Sequence, residues 1–253
     1  MNKRISPFES QIENDLLLNN TGFLENTDPL LSLIEDYSPL LSCALPIPDC
    51  NETLLIYQSK EYHCTNQTLT TLRNEQKFHN FLDYTSLSRA LKRFSCFRAK
   101  SFPIVSLSAA LFPLGRARHA TWINPFKIVE LKEEGPFSLV RLMDGPTIKL
   151  DVSTPLIRKR SEECLCILAT LQRDYLIPGH TGPRSPLDVL HFPNTPFLRS
   201  IIQQPLLQQF PLPIRALKEA YEKEYALQTI LQLGHSGELD QWVHAAFYDS
   251  FTK

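Results

Sequence analysis

Glycine is scarce in this chain of 253 residues, which has 8 glycines against 19 prolines. Glycine-rich loops that cradle phosphate groups are therefore not expected, and no GxGxxG or P-loop pattern occurs. Long apolar runs are missing too: the longest, residues 102–114, contains two prolines and is too short to cross a bilayer. The first fifteen residues lack the apolar segment of a secretory signal. These absences predict a soluble, cytoplasmic protein.

Recognisable catalytic and metal-binding patterns are also absent. The chain has no G-x-S-x-G elbow and no H-E-x-x-H motif. Six cysteines without an export signal are predicted to be free thiols. Cys164 and Cys166 would point about 200° apart on a helix, which favours two buried small side chains over zinc ligands. We therefore expect no catalysis, no cofactor and no metal.

Charge is segregated along the chain, although the net charge is only −1. Residues 1–62 carry three basic and ten acidic groups, whereas residues 73–118 carry nine basic groups and two acidic ones. The basic groups of the middle segment are Arg73, Lys77, Arg89, Lys92, Arg93, Arg98, Lys100, Arg116 and Arg118. Such a segment can bind a polyanion, because charges act over roughly 10 Å at physiological salt. It can equally be a solvated face, and the acidic segment could mask it, engage a partner or serve solubility.

The residue patterns predict an α+β fold, with a strand-rich central core, flanking helices and a helical C-terminal part. Predicted strands are residues 53–57, 62–72, 103–105 and 109–112, one after Trp122, and the pair 137–143 and 147–152 joined at Asp144-Gly145. Predicted helices are residues 86–94, 156–176, 213–233 and 238–251. The predicted division is an acidic, partly helical or disordered arm over residues 1–50, a core over 51–177, and a proline-rich linker with C-terminal helices over 178–253.

Cationic, aromatic and amide side chains are concentrated around the first tryptophan. They are Arg116, Arg118, His119, Trp122, Asn124 and Lys127. Such a mixture suits phosphate contacts together with hydrogen bonds to base edges. In the competing interpretation, Trp122 and Ile123 belong to the core and the others form a polar loop.

The same part of the chain resembles the competence transcription factor (ComK) family of Gram-positive bacteria. The resemblance covers roughly residues 54–175 and depends on the order and spacing of several short pieces. These are Leu69, Leu72, Phe78 and Tyr84, then Arg89-Ala90, Pro103-Ile104-Val105, Leu111-Phe112-Pro113, Trp122-Ile123, Leu139-Val140-x-Leu142-x-Asp144-Gly145 and a helix after Ser153. Two pieces depart from the family pattern, since Ala120 replaces an expected cysteine and Leu142-Met143-Asp144-Gly145 replaces an aromatic-Ser-Asn-Gly turn.

The resemblance implies an activator of genes for DNA uptake and transformation that binds A/T-rich boxes of double-stranded DNA, largely through the minor groove. It also implies self-association and control by a Clp-protease adaptor. We expect phosphate or groove contacts from seven cations, with two further side chains shaping or lining that surface. The cations are Arg89, Lys92, Arg93, Arg98, Lys100, Arg116 and Arg118, and the other two are Trp122 and Asn124.

Two other classes of function remain open from the residues alone. A protein-interaction module of the competence circuit, without DNA binding, would use the basic segment to dock an acidic partner. A small hydrolase with a cysteine or serine nucleophile would lose activity on one substitution while still folding.

Overall fold

A computed structural model describes residues 41–57, 60–79, 82–97, 100–143, 145–177 and 182–236. These ranges contain nine strands: β1 Leu41–Pro46, β2 Thr53–Tyr57, β3 Lys60–Cys64, β4 Ile104–Val105, β5 Ala110–Leu114, β6 Thr121–Ile123, β7 Ile128–Glu134, β8 Phe137–Leu142 and β9 Thr147–Leu150. They also contain six helices: α1 Thr68–His79, α2 Tyr84–Lys92, α3 Thr154–Leu176, α4 Pro196–Ile201, α5 Pro205–Gln208 and α6 Ala216–Ser236. The predicted α+β class is confirmed.

The larger sheet has six antiparallel strands in the order β3-β2-β1-β6-β5-β4. Alternate residues of a strand face opposite sides, and here both sides are covered. Cys43 and Ile56 belong to the main core with α2 and α3, whereas Leu55 and Trp122 belong to a smaller core that includes Leu72 of α1. Burial on both faces explains why β2 reads as a continuous apolar run.

The second sheet has three antiparallel strands in the order β7-β8-β9. Strand β8 alternates between buried and more exposed positions, with Ser138, Val140 and Leu142 facing inward. The predicted hairpin between residues 137–143 and 147–152 is confirmed, although Asp144 of its turn lies outside the described residues.

Helix α3 is the central helix of the main core. It begins directly after Ser153 with Pro155 in its first turn, a position where the missing N–H of proline costs nothing. Its residues from Ser161 to Leu171 are all buried. The predicted helix over residues 156–176 is confirmed, but its middle, residues 161–171, is buried all round rather than along one face.

Residues 41–46 and residues 68–72 differ from their predictions. Residues 41–46, which the prediction placed in the acidic arm, form β1, which lies between β2 and β6. The C-terminal half of the predicted strand 62–72 is the start of helix α1. Its threonines favour strand structure locally, but a helix places Leu69 and Leu72 together on the smaller core, and tertiary packing outweighs a weak local preference.

The C-terminal region packs on the same core as the middle of the chain. Leu190, Phe197, Leu207 and Leu217 are buried in one hydrophobic cluster with α3, so residues 182–236 are part of the same packed core. Helix α6 also continues past Gly234 to Ser236. The predicted helix over residues 238–251 lies outside the described residues. No helix in the described part of the chain is long and apolar enough to cross a membrane.

Candidate nucleic-acid interface

Helix α1, the start of α2 and the connection between β5 and β6 meet around the side chain of Trp122. Helix α1 packs against the 3₁₀ turn Ala117–His119 in that connection. The Arg73 guanidinium in α1 donates a hydrogen bond to the Thr85 hydroxyl at 2.9 Å and lies 5.6 Å from the ring centroid of Tyr84. Three separate elements are thereby held together at one place.

The side chain of Trp122 contacts both the start of α2 and the connection between β5 and β6 from the interior of the protein. Its indole is fully buried, and its ring meets that of Tyr84 edge-on with 5.9 Å between centroids. Its Nε1 donates to the carbonyl of Ala117 at 3.2 Å. A buried indole needs such a partner for its N–H, and here the partner lies between two arginines of the turn. Burial also raises the pKa of Tyr84, so this hydroxyl stays neutral.

The connection between β5 and β6 carries Arg116 and Arg118. It starts at Gly115, whose φ of 105° is a conformation that favours glycine, and the strands close again at the pair Leu114 and Thr121. The Ser101 hydroxyl donates to the Gly115 carbonyl at 3.3 Å, which brings the neighbouring Lys100 toward this connection. The turn is therefore anchored at both ends.

Six exposed cations lie on these elements or just before β4, and we call them the basic surface. They are Arg73, Arg89, Lys92, Lys100, Arg116 and Arg118. Arg89 and Lys92 lie one turn apart on the face of α2 opposite its buried residues Leu87 and Leu91. Among the described side chains, no carboxylate forms a salt bridge with any of the six. Their charge is thus available to a bound anion.

Three of the predicted site residues have a different environment. Arg93 forms a salt bridge with Glu224 of α6, whose side chain is nearly buried, so its charge is already compensated. Trp122 and Asn124 are buried, so they cannot line a surface, although Trp122 supports one. The Asn124 amide instead donates to the carbonyl of Leu41 at 3.2 Å, and its oxygen accepts the Phe126 N–H. Arg98 lies outside the described residues.

Arg73 was not among the predicted site residues, although it belongs to the basic segment. Predicting a strand over residues 62–72 hid the fact that α1 packs beside the turn that carries Arg116. A helical interpretation of residues 68–79, with Leu69 and Leu72 on one face, would have placed Arg73 near this site.

The two cysteines of α3 are poor nucleophiles. Cys164 and Cys166 are buried free thiols, and burial raises the pKa of both, that of Cys166 to about 12. A thiol with a raised pKa is a poor nucleophile, since the thiolate is the reactive form. Within the described ranges, no group of three or more His, Cys, Asp or Glu side chains is placed to hold a metal ion.

Comparison with known proteins adds no neighbour to this picture. The chain matches no family model, and neither a curated protein nor a solved structure is significantly similar to it.

Proposed function

We propose that this protein is a cytoplasmic, DNA-binding regulator of transcription that binds double-stranded DNA through the basic surface. The observation that carries the proposal is the set of six cations, unpaired among the described side chains, on elements fixed around Trp122. Lysine and arginine supply most of the affinity for DNA by neutralising phosphates and releasing counterions. Because the backbone that carries these cations is already ordered, binding to DNA does not require the backbone to lose conformational entropy.

The proposed preference is for A/T-rich boxes, and the proposed role is activation of competence genes. A-tracts have a narrow minor groove with enhanced negative potential, which attracts inserted arginine side chains. Arg116 and Arg118 are exposed on a short connection between strands, from which a side chain can enter a groove. The resemblance to the competence regulators supports the role, and the unpaired cations support the binding.

A duplex-binding titration at two salt concentrations tests the proposal. We expect tighter binding to an A/T-box probe than to a G·C-rich probe, with affinity falling steeply as salt rises. Equal, salt-sensitive binding to both probes would retain only a general affinity for polyanions. Absence of binding to either duplex would overturn the proposal and favour the docking of an acidic protein partner.

Removing three exposed arginines from the basic surface should weaken DNA binding. The variant Arg89→Gln, Arg116→Gln, Arg118→Gln should lower the slope of log affinity against log salt by about 2 to 3, since each phosphate contact contributes about 0.9. The matched control is Lys132→Gln, Lys159→Gln, Arg199→Gln, which removes the same charge from three exposed positions elsewhere. Equal losses in the two triple variants would rule out a localised interface.

Neutralising the N-terminal acidic groups should raise non-specific DNA affinity several-fold if they screen the basic surface. Residues 1–40 carry seven carboxylates and two cations, and the amide variants are made at Glu9, Glu13, Asp15, Glu25, Asp28, Glu35 and Asp36. Amide variants are preferable to a deletion to residue 50, because that deletion would remove β1.

The control for this prediction changes net charge equally in the body of the protein. In the control, the carboxylates are replaced by amides at Asp49, Glu52, Glu133, Glu134, Asp151, Glu219 and Glu222. An equal rise of affinity in both variants would show an effect of net charge alone and would contradict screening by the N-terminal segment.

A further inference from the structure

Strand β3 forms one edge of the larger sheet, and within the described part of the chain only β2 packs closely against it. Its residues Glu61, Tyr62 and His63 are exposed. An edge strand carries a row of main-chain N–H and C=O groups that can pair with a further strand. The opposite edge, β4, has only two residues and both are buried. Strand β3 is therefore the edge of this sheet that is long enough to accept another strand.

Two groups of opposite charge type project from the same face of β3. Glu61 and His63 pair in register with Ile56 and Leu54 of β2, which belong to the main core, whereas Tyr62 between them faces the other side of the sheet. Burial raises the pKa of Glu61, and the interaction with His63 acts in the opposite direction. The exposed face of this edge thus presents an acceptor and a donor two residues apart.

We propose that two copies of the protein associate by antiparallel pairing of their β3 strands about a two-fold axis at Tyr62. In this register Tyr62 lies opposite Tyr62, and Glu61 of each copy lies opposite His63 of the other. The main chain of Lys60 lies opposite that of Cys64, so all five residues of the strand pair. The two six-stranded sheets then form one continuous antiparallel sheet.

The side chains favour this register over the neighbouring ones. Centring the axis on Glu61 would place two carboxylates opposite each other, and centring it on His63 would oppose two imidazoles. Either shift would also leave part of the short strand unpaired. Centring on Tyr62 instead lets each carboxylate accept a hydrogen bond from an imidazole of the second copy, since directly opposite side chains lie about 5 Å apart.

This complementarity of the strand with itself is what identifies the partner as a second copy of the chain. An isologous interface requires that the groups on one side of the axis match those on the other, and Glu61 and His63 meet that requirement at two symmetry-related positions. A strand from an unrelated protein would have to supply the same two groups in the reverse order.

Exchanging the two charged groups tests the proposal in the full-length protein. Sedimentation equilibrium should show a dimer that dissociates on dilution. Glu61→Lys and His63→Glu should each raise the Kd of the dimer about tenfold, because each change disrupts two symmetry-related pairs. The double variant Glu61→Lys, His63→Glu should restore association, because it exchanges the two groups and keeps them complementary.

The matched control makes the same two changes at exposed positions elsewhere, Glu219→Lys and His191→Glu. It should leave the Kd of the dimer unchanged, alone or combined. Far-ultraviolet circular dichroism verifies that each variant is folded. Hydrogen exchange provides a second measurement, since the main-chain amides of β3 should exchange several-fold more slowly in the dimer than in the monomer, whereas those of the inner strand β6 should not change.

Three results would overturn the proposal. The first is the mass of a monomer at every concentration that the protein tolerates. The second is a dimer whose Kd responds to neither single variant, or to both without recovery in the double variant. The third is exchange of the β3 amides that does not slow when the dimer forms, which would assign the association to another surface.

Discussion

Replacing Trp122 with alanine is expected to destabilise the protein by about 3–5 kcal/mol, the cost of removing a large aromatic side chain from a core. The indole is fully buried in the smaller core, and its loss leaves a cavity between the sheet and α1. It also removes the edge contact with Tyr84 and the hydrogen bond to the Ala117 carbonyl. Urea unfolding followed by far-ultraviolet circular dichroism measures the change in the free energy of unfolding.

Trp122→Phe separates packing from hydrogen bonding. Phenylalanine retains an aromatic ring beside Tyr84 but donates no hydrogen bond to Ala117, so we expect a smaller loss of stability together with weaker DNA binding. The binding loss follows because the turn that carries Arg116 and Arg118 loses its anchor to the core. If Trp122→Ala cost less than about 1 kcal/mol, Trp122 would not be the support that its burial indicates.

Replacing Arg173 with leucine is expected to cost about 3–5 kcal/mol, because it breaks a buried ion pair from one side. The Arg173 and Asp174 side chains are 3% and 0% exposed and lie 2.8 Å apart. The guanidinium also donates to the carbonyls of Leu212 and Pro213 at 3.0 and 2.9 Å. The substitution leaves one buried carboxylate and two carbonyls without these donors.

A double-mutant cycle identifies the source of this loss. Asp174→Asn in the Arg173→Leu background removes the uncompensated charge, so the double variant should be more stable than Arg173→Leu alone. Lys149→Leu is the control, because Lys149 pairs with Glu134 on the surface and its loss should cost less than about 1 kcal/mol. A double variant no more stable than Arg173→Leu would show that the carbonyl contacts, rather than the buried charge, dominate.

Arg173 also connects the C-terminal region to α3. Its contacts to residues 212 and 213 lie just before α6, and Asp174 accepts the main-chain N–H of Lys218 within α6. Limited proteolysis should therefore cut the Arg173→Leu variant near the start of α6 under conditions that leave the Lys149→Leu control intact. Equal resistance of the two variants would contradict a role for Arg173 in holding this helix.

Elements with a strong local pattern could be predicted from the sequence. The hairpin of β8 and β9 has alternating apolar residues on both sides of an Asp-Gly turn, and α2 repeats Leu87, Ala90 and Leu91 at helical spacing. In both cases the buried face and the local backbone preference agree. Strand β1 has no such signal, because both its faces are buried and neither alternation nor a helical period distinguishes it from its surroundings.

The fold class, the free thiols of the cysteines and the concentration of positive charge between residues 73 and 118 could be predicted from the sequence. Tertiary contacts are needed to tell which of those charges have no carboxylate partner among the described side chains. Arg93 and Glu224 are distant in sequence and meet because α2 packs on α6. Trp122 supports the surface from inside because β6 has neighbours on both sides. Pairing and burial depend on contacts between distant segments, which local periodicity does not encode.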